Sequence, residues 1–166
     1  MVNLIAIPIL GTLLVIQSAV LSQIPLLHGT ADLVLLALIA WSVQKRVSTA
    51  WVWGIIGGLL VGYTSAIPIL VYLGCYLAAV GIALFLRQRL SNVPLLAMLM
   101  VTFLSTLILQ GVTILALRLM DTPIAILPSI NLVILPSLLL NMILAVPFYL
   151  IFGDLAGIFY PESLEI

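Results

Sequence analysis

Charged side chains interrupt an otherwise apolar chain at only ten positions: Asp32, Lys45, Arg46, Arg87, Arg89, Arg118, Asp121, Asp154, Glu162 and Glu165. Between them lie uncharged runs over 1–31, 33–44, 47–86, 90–117 and 122–153. A helix needs roughly 20 apolar residues to cross the hydrocarbon core of a bilayer, so the 47–86 run holds two helices. Its break is Tyr63-Thr64-Ser65-Ala66-Ile67-Pro68, a polar and proline-containing turn signal. The pattern predicts an all-α membrane protein of six transmembrane helices, near 4–22, 26–44, 48–63, 68–86, 93–117 and 130–152, in a single integral membrane domain over 1–166. The second helix is the shortest. Residues 31–44 alone reach about 21 Å at 1.5 Å per residue, so it starts back at Leu26 or is short and tilted.

Composition points the same way. Residues of the hydrophobic class make up 65% of the chain and charged residues 6%, against about 25% charged in an ordinary soluble domain, and the mean hydropathy is +1.44. Too little polar surface remains to coat a water-soluble globule. Zero net charge without a basic stretch excludes nucleic acid, whose phosphates are bound through clustered Lys and Arg. The single cysteine, Cys75, lies in an apolar run, so there is neither a disulfide framework nor a paired metal-ligand motif. The first helix lacks a basic n-region and reads as a retained span rather than a cleaved signal. Lys45 and Arg46 fall between helices two and three, Arg87 and Arg89 between four and five, and only Arg118 on the other side. The positive-inside bias then places both termini of this multi-pass protein on the cytoplasmic side. Trp41, Trp51 and Trp53 flank the Lys45-Arg46 loop and read as interface anchors. The longest connection, residues 118–129, is too short for a domain.

Catalytic chemistry finds little to work with. A nucleophile needs a His or Lys base, and the only histidine, His28, lies in an extracytoplasmic loop beside Gly29 and Thr30. Neither a His pair with Glu nor two buried Asp on one side of the membrane is present, which excludes metalloprotease and aspartyl-protease patterns. The middle of every span is uncharged, which argues against an ion pathway. The expectation is a protein that is not an enzyme and holds no metal or cofactor.

What the spans do carry is small-residue and amide chemistry. Gly54, Gly58 and Gly62 recur at four-residue spacing on helix three with Gly57 beside them, opening a groove for close approach of another helix backbone. Helix four answers with Gly74 and Ala78, and with Ala79 and Ala83. The groove serves packing of three on four within the chain, or the helix of a partner. On helix six, Ser137, Asn141 and Ala145 fall at i, i+4 and i+8, a polar and small stripe on a leucine-rich helix bounded by Pro136 and Pro147. Asn141 either satisfies itself on Gln110 or Thr106 of helix five, or lines a ligand cavity or partner groove. These six residues are the candidate partner-binding positions.

Leu135-Pro136-Ser137-Leu138-Leu139-Leu140-Asn141, followed by Pro147 and Tyr149, resembles the last helix of the MreD family, small membrane proteins of the bacterial rod-shape and cell-elongation machinery. Ala31-Asp32-Leu33-Val34-Leu35-Leu36 is similar to the (P)DLLLL opening of that family's second helix, and a basic loop and a glycine-rich third helix follow. Two departures stand out: Ala31 replaces the proline, and Leu60-Val61-Gly62-Tyr63-Thr64-Ser65 replaces patterns like LDLLSG that carry an acid. The resemblance, over roughly 30–152, implies a non-catalytic scaffold. Its partners would be an MreC-like protein and, through it, a RodA-type glycosyltransferase, a class B penicillin-binding protein and MreB, with membrane lipid around it, in sidewall peptidoglycan synthesis. It also implies a fold similar to the S-components of energy-coupling-factor vitamin transporters. A second reading is therefore a small-molecule-binding subunit, with His28, Thr64, Ser65, Arg118 and Asp121 as rim residues. A third is an accessory subunit of another membrane complex.

Overall fold

The computed structural model describes residues 2–19, 29–122 and 126–161. The described residues form α1 (Val2–Ala19), α2 (Leu33–Val43), α3 (Ala50–Thr64), α4 (Ile69–Arg89), α5 (Pro94–Leu119) and α6 (Leu135–Phe159). A short turn of helix, Ile126–Ser129, and a π-helical turn, Ile130–Ile134, lead into α6. The π turn has a local cause. Pro136 has no N–H to return to the previous turn and its ring crowds the carbonyl four residues back, and the wider turn, in which the Leu135 N–H reaches the Ile130 carbonyl, relieves that crowding. α5 ends in a left-handed residue, Asp121 at φ 56°. There the Thr122 N–H reaches the Leu117 carbonyl and the Asp121 N–H the Arg118 carbonyl, which satisfies two of the helix's last acceptors.

Among the described residues, three stretches are long and apolar enough to cross a membrane: α4, α5 and Leu127–Phe159, which contains α6. The chain is an all-α membrane protein. Against the six transmembrane helices expected, the other three are too short among the described residues. α2 has 11 residues and α3 has 15, rises of about 16 and 22 Å against a core of about 30 Å, and the apolar part of α1, Leu4–Ala19, is also short. α2 begins at Leu33 rather than near Leu26, because Gly29–Asp32 is not helical. Leu26 itself lies outside the described residues. α6 runs on to Phe159, past the expected end at 152; Asp154 is exposed on its flank, and a charge that reaches solvent does not end a helix.

α2 touches each of the other five helices, and none of its residues is more than 7% exposed. Its sequence, LVLLALIAWSV, is apolar all round, as a helix at the centre of a bundle must be. α3 and α4 form an antiparallel hairpin against it, and the glycines set their separation. A Cβ on Gly58 would lie 2.9 Å from Leu73 Cα, one on Gly62 3.0 Å from Ile69 Cα, and one on Gly54 2.9 Å from Val80 Cγ2. The groove is filled by this chain's own α4. The face that fills it is Ile69, Leu73, Leu77 and Val80, while Gly74 and Ala78 point away from it and are exposed, and Ala79 and Ala83 are buried.

Two of the three tryptophans are not interface anchors. Trp41 and Trp53 are fully buried and stack with centroids 4.4 Å apart, each edge-on to Phe152; only Trp51, 49% exposed, stands where a headgroup layer can meet it. The belt statistic describes rings that face lipid, and α2 has no face that does.

Gly58→Ala should lower the stability of the detergent-solubilised protein by about 1–3 kcal/mol, the usual result of forcing a methyl group against a packed backbone. Gly74→Ala, whose Cβ meets nothing within 4 Å, should leave the thermal midpoint unchanged or raised. Equal midpoints for the two variants would show that the glycine face does not set the hairpin.

Candidate functional site

The chain enters the bundle through Gly29-Thr30-Ala31-Asp32, a non-helical segment whose backbone cannot satisfy itself. An unpaired N–H in apolar surroundings is penalised by several kcal/mol, and the surrounding helices supply the partners. The Thr30 N–H donates to Ser137 Oγ at 3.0 Å and the Asp32 N–H to Asn141 Oδ1 at 2.9 Å, both on α6. Gln17 Oε1 of α1 accepts from the Leu33 N–H at 2.8 Å. Gly29 lies directly on the α6 backbone: a Cβ there would sit 2.5 Å from Pro136 Cβ and 2.8 Å from Ser137 N. Asp32 is the N-cap of α2, its Oδ1 accepting from the Leu35 N–H at 2.9 Å. The Tyr76 hydroxyl of α4 donates to the same carboxylate, 2.9 and 2.8 Å from its two oxygens. Asn141 Nδ2 in turn donates to Thr106 Oγ1 of α5 at 3.0 Å. Side chains of four helices thus close on the N-terminus of the fifth.

The other end of α2 is held as firmly. Arg87 of α4 directs Nη1 at the carbonyls of Ser42, Gln44 and Val47, at 3.3, 2.8 and 3.0 Å. The positive guanidinium meets the end of the helix where unpaired carbonyls concentrate negative charge. The Gln44 side-chain amide adds a bond to the Tyr149 carbonyl of α6 at 3.4 Å.

These contacts relocate the candidate partner-binding residues. Ser137, Asn141 and Ala145 are buried, and the first two are engaged by the Gly29–Asp32 segment, while Gly54, Gly58 and Gly62 are covered by α4. Neither stripe is an open seat for a second protein. Of the two partners expected for Asn141, Thr106 is the one it bonds. Gln110 instead lines a cavity of about 200 Å³ with Gln17, Thr30, Asp32, Tyr72 and Thr113. Thr64, Ser65, Arg118 and Asp121 do not line it, and His28 lies outside the described residues. Sequence reasoning missed Tyr76 and Arg87 as partners of α2. An acid just before an apolar run is a recognisable N-cap signal, which marks Asp32, but nothing local to positions 76 or 87 shows which distant helix end they serve.

Comparison with protein-family models, with curated proteins and with solved structures finds no match. Geometry and chemistry alone therefore define the class of protein: an all-α membrane bundle in which Gln17, Ser137, Asn141 and Arg87 serve the backbone at the two ends of α2.

Asn141→Leu strips the Asp32 N–H of its acceptor and Thr106 of its donor, and should destabilise the protein by about 1–3 kcal/mol, the penalty of leaving a buried polar group unpaired. Gln88→Leu, at an exposed position, should not, and similar thermal midpoints for the two would refute the role given to Asn141. Likewise Arg87→Met should lose about 1.5–3 kcal/mol, the range for hydrogen bonds to a charged group. Arg89→Met, two residues on and exposed, should lose little; the comparison is made by thermal unfolding in one detergent.

Proposed function

We propose that this chain is a non-catalytic scaffold of the MreD type in the bacterial cytoplasmic membrane. It binds an MreC-like protein and, through it, a RodA-type glycosyltransferase, a class B penicillin-binding protein and MreB, and so helps direct sidewall peptidoglycan synthesis. The observation that supports this reading best is a meeting of two segments. The two stretches that carry the family resemblance, Ala31–Leu36 and Leu135–Asn141, lie 109 residues apart at the Asp32–Asn141 bond and are joined by it. A shared pattern in two distant segments is what a shared packing constraint would leave in sequence.

In this proposal the chain passes the membrane six times with both termini on the cytoplasmic side. The second pass combines Gly29–Asp32 with α2. Four extended residues add up to about 13 Å to the helix's own rise of about 16 Å, close to the thickness of the hydrocarbon core. Non-helical backbone at that depth is tolerated where protein groups satisfy it, and Ser137, Asn141 and Gln17 do so here. With the inner stripes filled, the partner's helix meets the outer surface. That surface is apolar, with Val15, Leu107, Leu139, Ile143, Leu150 and Ile151 among its exposed residues.

The vitamin-binding reading rests on the cavity beside Asp32. Pockets for small organic ligands measure about 300–1,000 Å³, and about 200 Å³ suits a few waters better, which favours the scaffold.

Extraction of the tagged protein from its native membrane in mild detergent, with mass spectrometry of what co-purifies, tests the proposal. The expected result is recovery of MreC, RodA or a penicillin-binding protein. Recovery of ATPases with a coupling membrane subunit would replace it with the transporter reading.

A further inference from the structure

At the end of the bundle that carries Lys45 and Arg46, the α2–α3 connection stands away from the last turns of α6 and leaves a pocket of about 650 Å³. Gln44, Lys45 and Arg46 line one wall, and Tyr149, Gly153, Asp154 and Gly157 line the α6 wall. The small residues make the space: a Cβ on Gly157 would meet nothing within 4 Å, and one on Gly153 would touch only the Gln44 amide, at 3.5 Å. Lys45 and Arg46 are exposed, and among the described residues of the lining they face a single acid, Asp154. A second groove, about 460 Å³ and wholly apolar, follows the α5–α6 seam and is lined by Leu96, Leu99, Met100, Phe103, Leu104 and Met142. The two share a face of α6. Met142, Tyr149, Gly153 and Gly157 fall at i, i+7, i+11 and i+15, which brings them into one line along the helix.

We infer that this line is a binding site for one anionic phospholipid, its phosphate at Lys45 and Arg46 and an acyl chain in the Leu96–Met142 groove. A basic pocket at a helix bundle's end above an apolar seam has the two chemistries of that molecule in their order across a leaflet. A free phosphate would use only the first and a neutral lipid only the second. A protein helix would fill the seam without needing the charge.

Native mass spectrometry of the detergent-purified chain tests this, with phosphatidylglycerol and phosphatidylcholine of matched acyl chains. One phosphatidylglycerol should be retained in preference. Lys45→Gln and Arg46→Gln should each reduce its retention about five-fold, the equivalent of about 1 kcal/mol per basic side chain at a membrane surface. Asp154→Asn should increase it. Gly157→Leu should fill the pocket and abolish preferential retention while leaving the thermal midpoint in place; should that variant fail to fold, the two exposed basic positions carry the test. Glycerol phosphate at equal concentration should not compete. Equal retention of the two lipids, competition by glycerol phosphate, or retention indifferent to Lys45 and Arg46 would overturn the inference. So would unchanged retention in a folded Gly157→Leu that loses a co-purifying membrane protein, which would give the pocket to that protein's helix.

Discussion

An eleven-residue helix enclosed along its length by apolar neighbours leaves backbone groups at both ends that its own ladder does not pair. Those groups must find side chains on the neighbouring helices, and this requirement organises the bundle. Gln17, Tyr76, Thr106, Ser137 and Asn141 gather at the N-terminal end, with Asp32 as cap, and Arg87 closes the C-terminal end. α1, α4 and α6 are thereby fixed in register on α2, and α5 on α6 through Thr106, by directional bonds, which dispersion between leucines does not supply.

The glycine hairpin serves the same arrangement by another means. Gly54, Gly58 and Gly62 let α4 come close to α3, and Gly57 does so for α2: a Cβ there would lie 3.0 Å from Leu38 Cδ1 and 3.4 Å from Val34 Cγ1. α3 therefore presses on the helix that Tyr76 and Arg87 hold, and the stacked Trp41 and Trp53 rings seal the junction of α2 with α3. Ser137, Asn141 and the glycines of α3 are engaged within the chain, so neither stripe is open at the outer surface. A surface that meets lipid must be apolar, and large apolar residues such as Leu139, Ile143 and Leu150 are exposed on it.

Much of the helical framework was legible from the chain alone. Bounds expected for the third, fourth and fifth helices differ from α3, α4 and α5 by a few residues at most, because Pro68 and Pro94 stand at the starts of α4 and α5, where a proline is tolerated and through which a preceding helix does not run. Asn141 on Thr106 was one of two partners that helical spacing and amide chemistry allowed. The stripes themselves were visible, but their occupants were not, since GxxxG or an amide at mid-helix has the same appearance whether a neighbour in the chain or a second protein covers it.

Sequence by itself determined that this protein is a bundle of apolar helices in a membrane, because backbone groups in lipid must be satisfied within their own segment and that demand writes itself as length and hydropathy. Tertiary structure alone decided which helix lies at the centre, which tryptophans are core and which ends Tyr76 and Arg87 cap. Lipid is as apolar as a leucine core, so membrane helices carry no polar face to mark their outside. Inside and outside are then assigned by packing between segments a hundred residues apart.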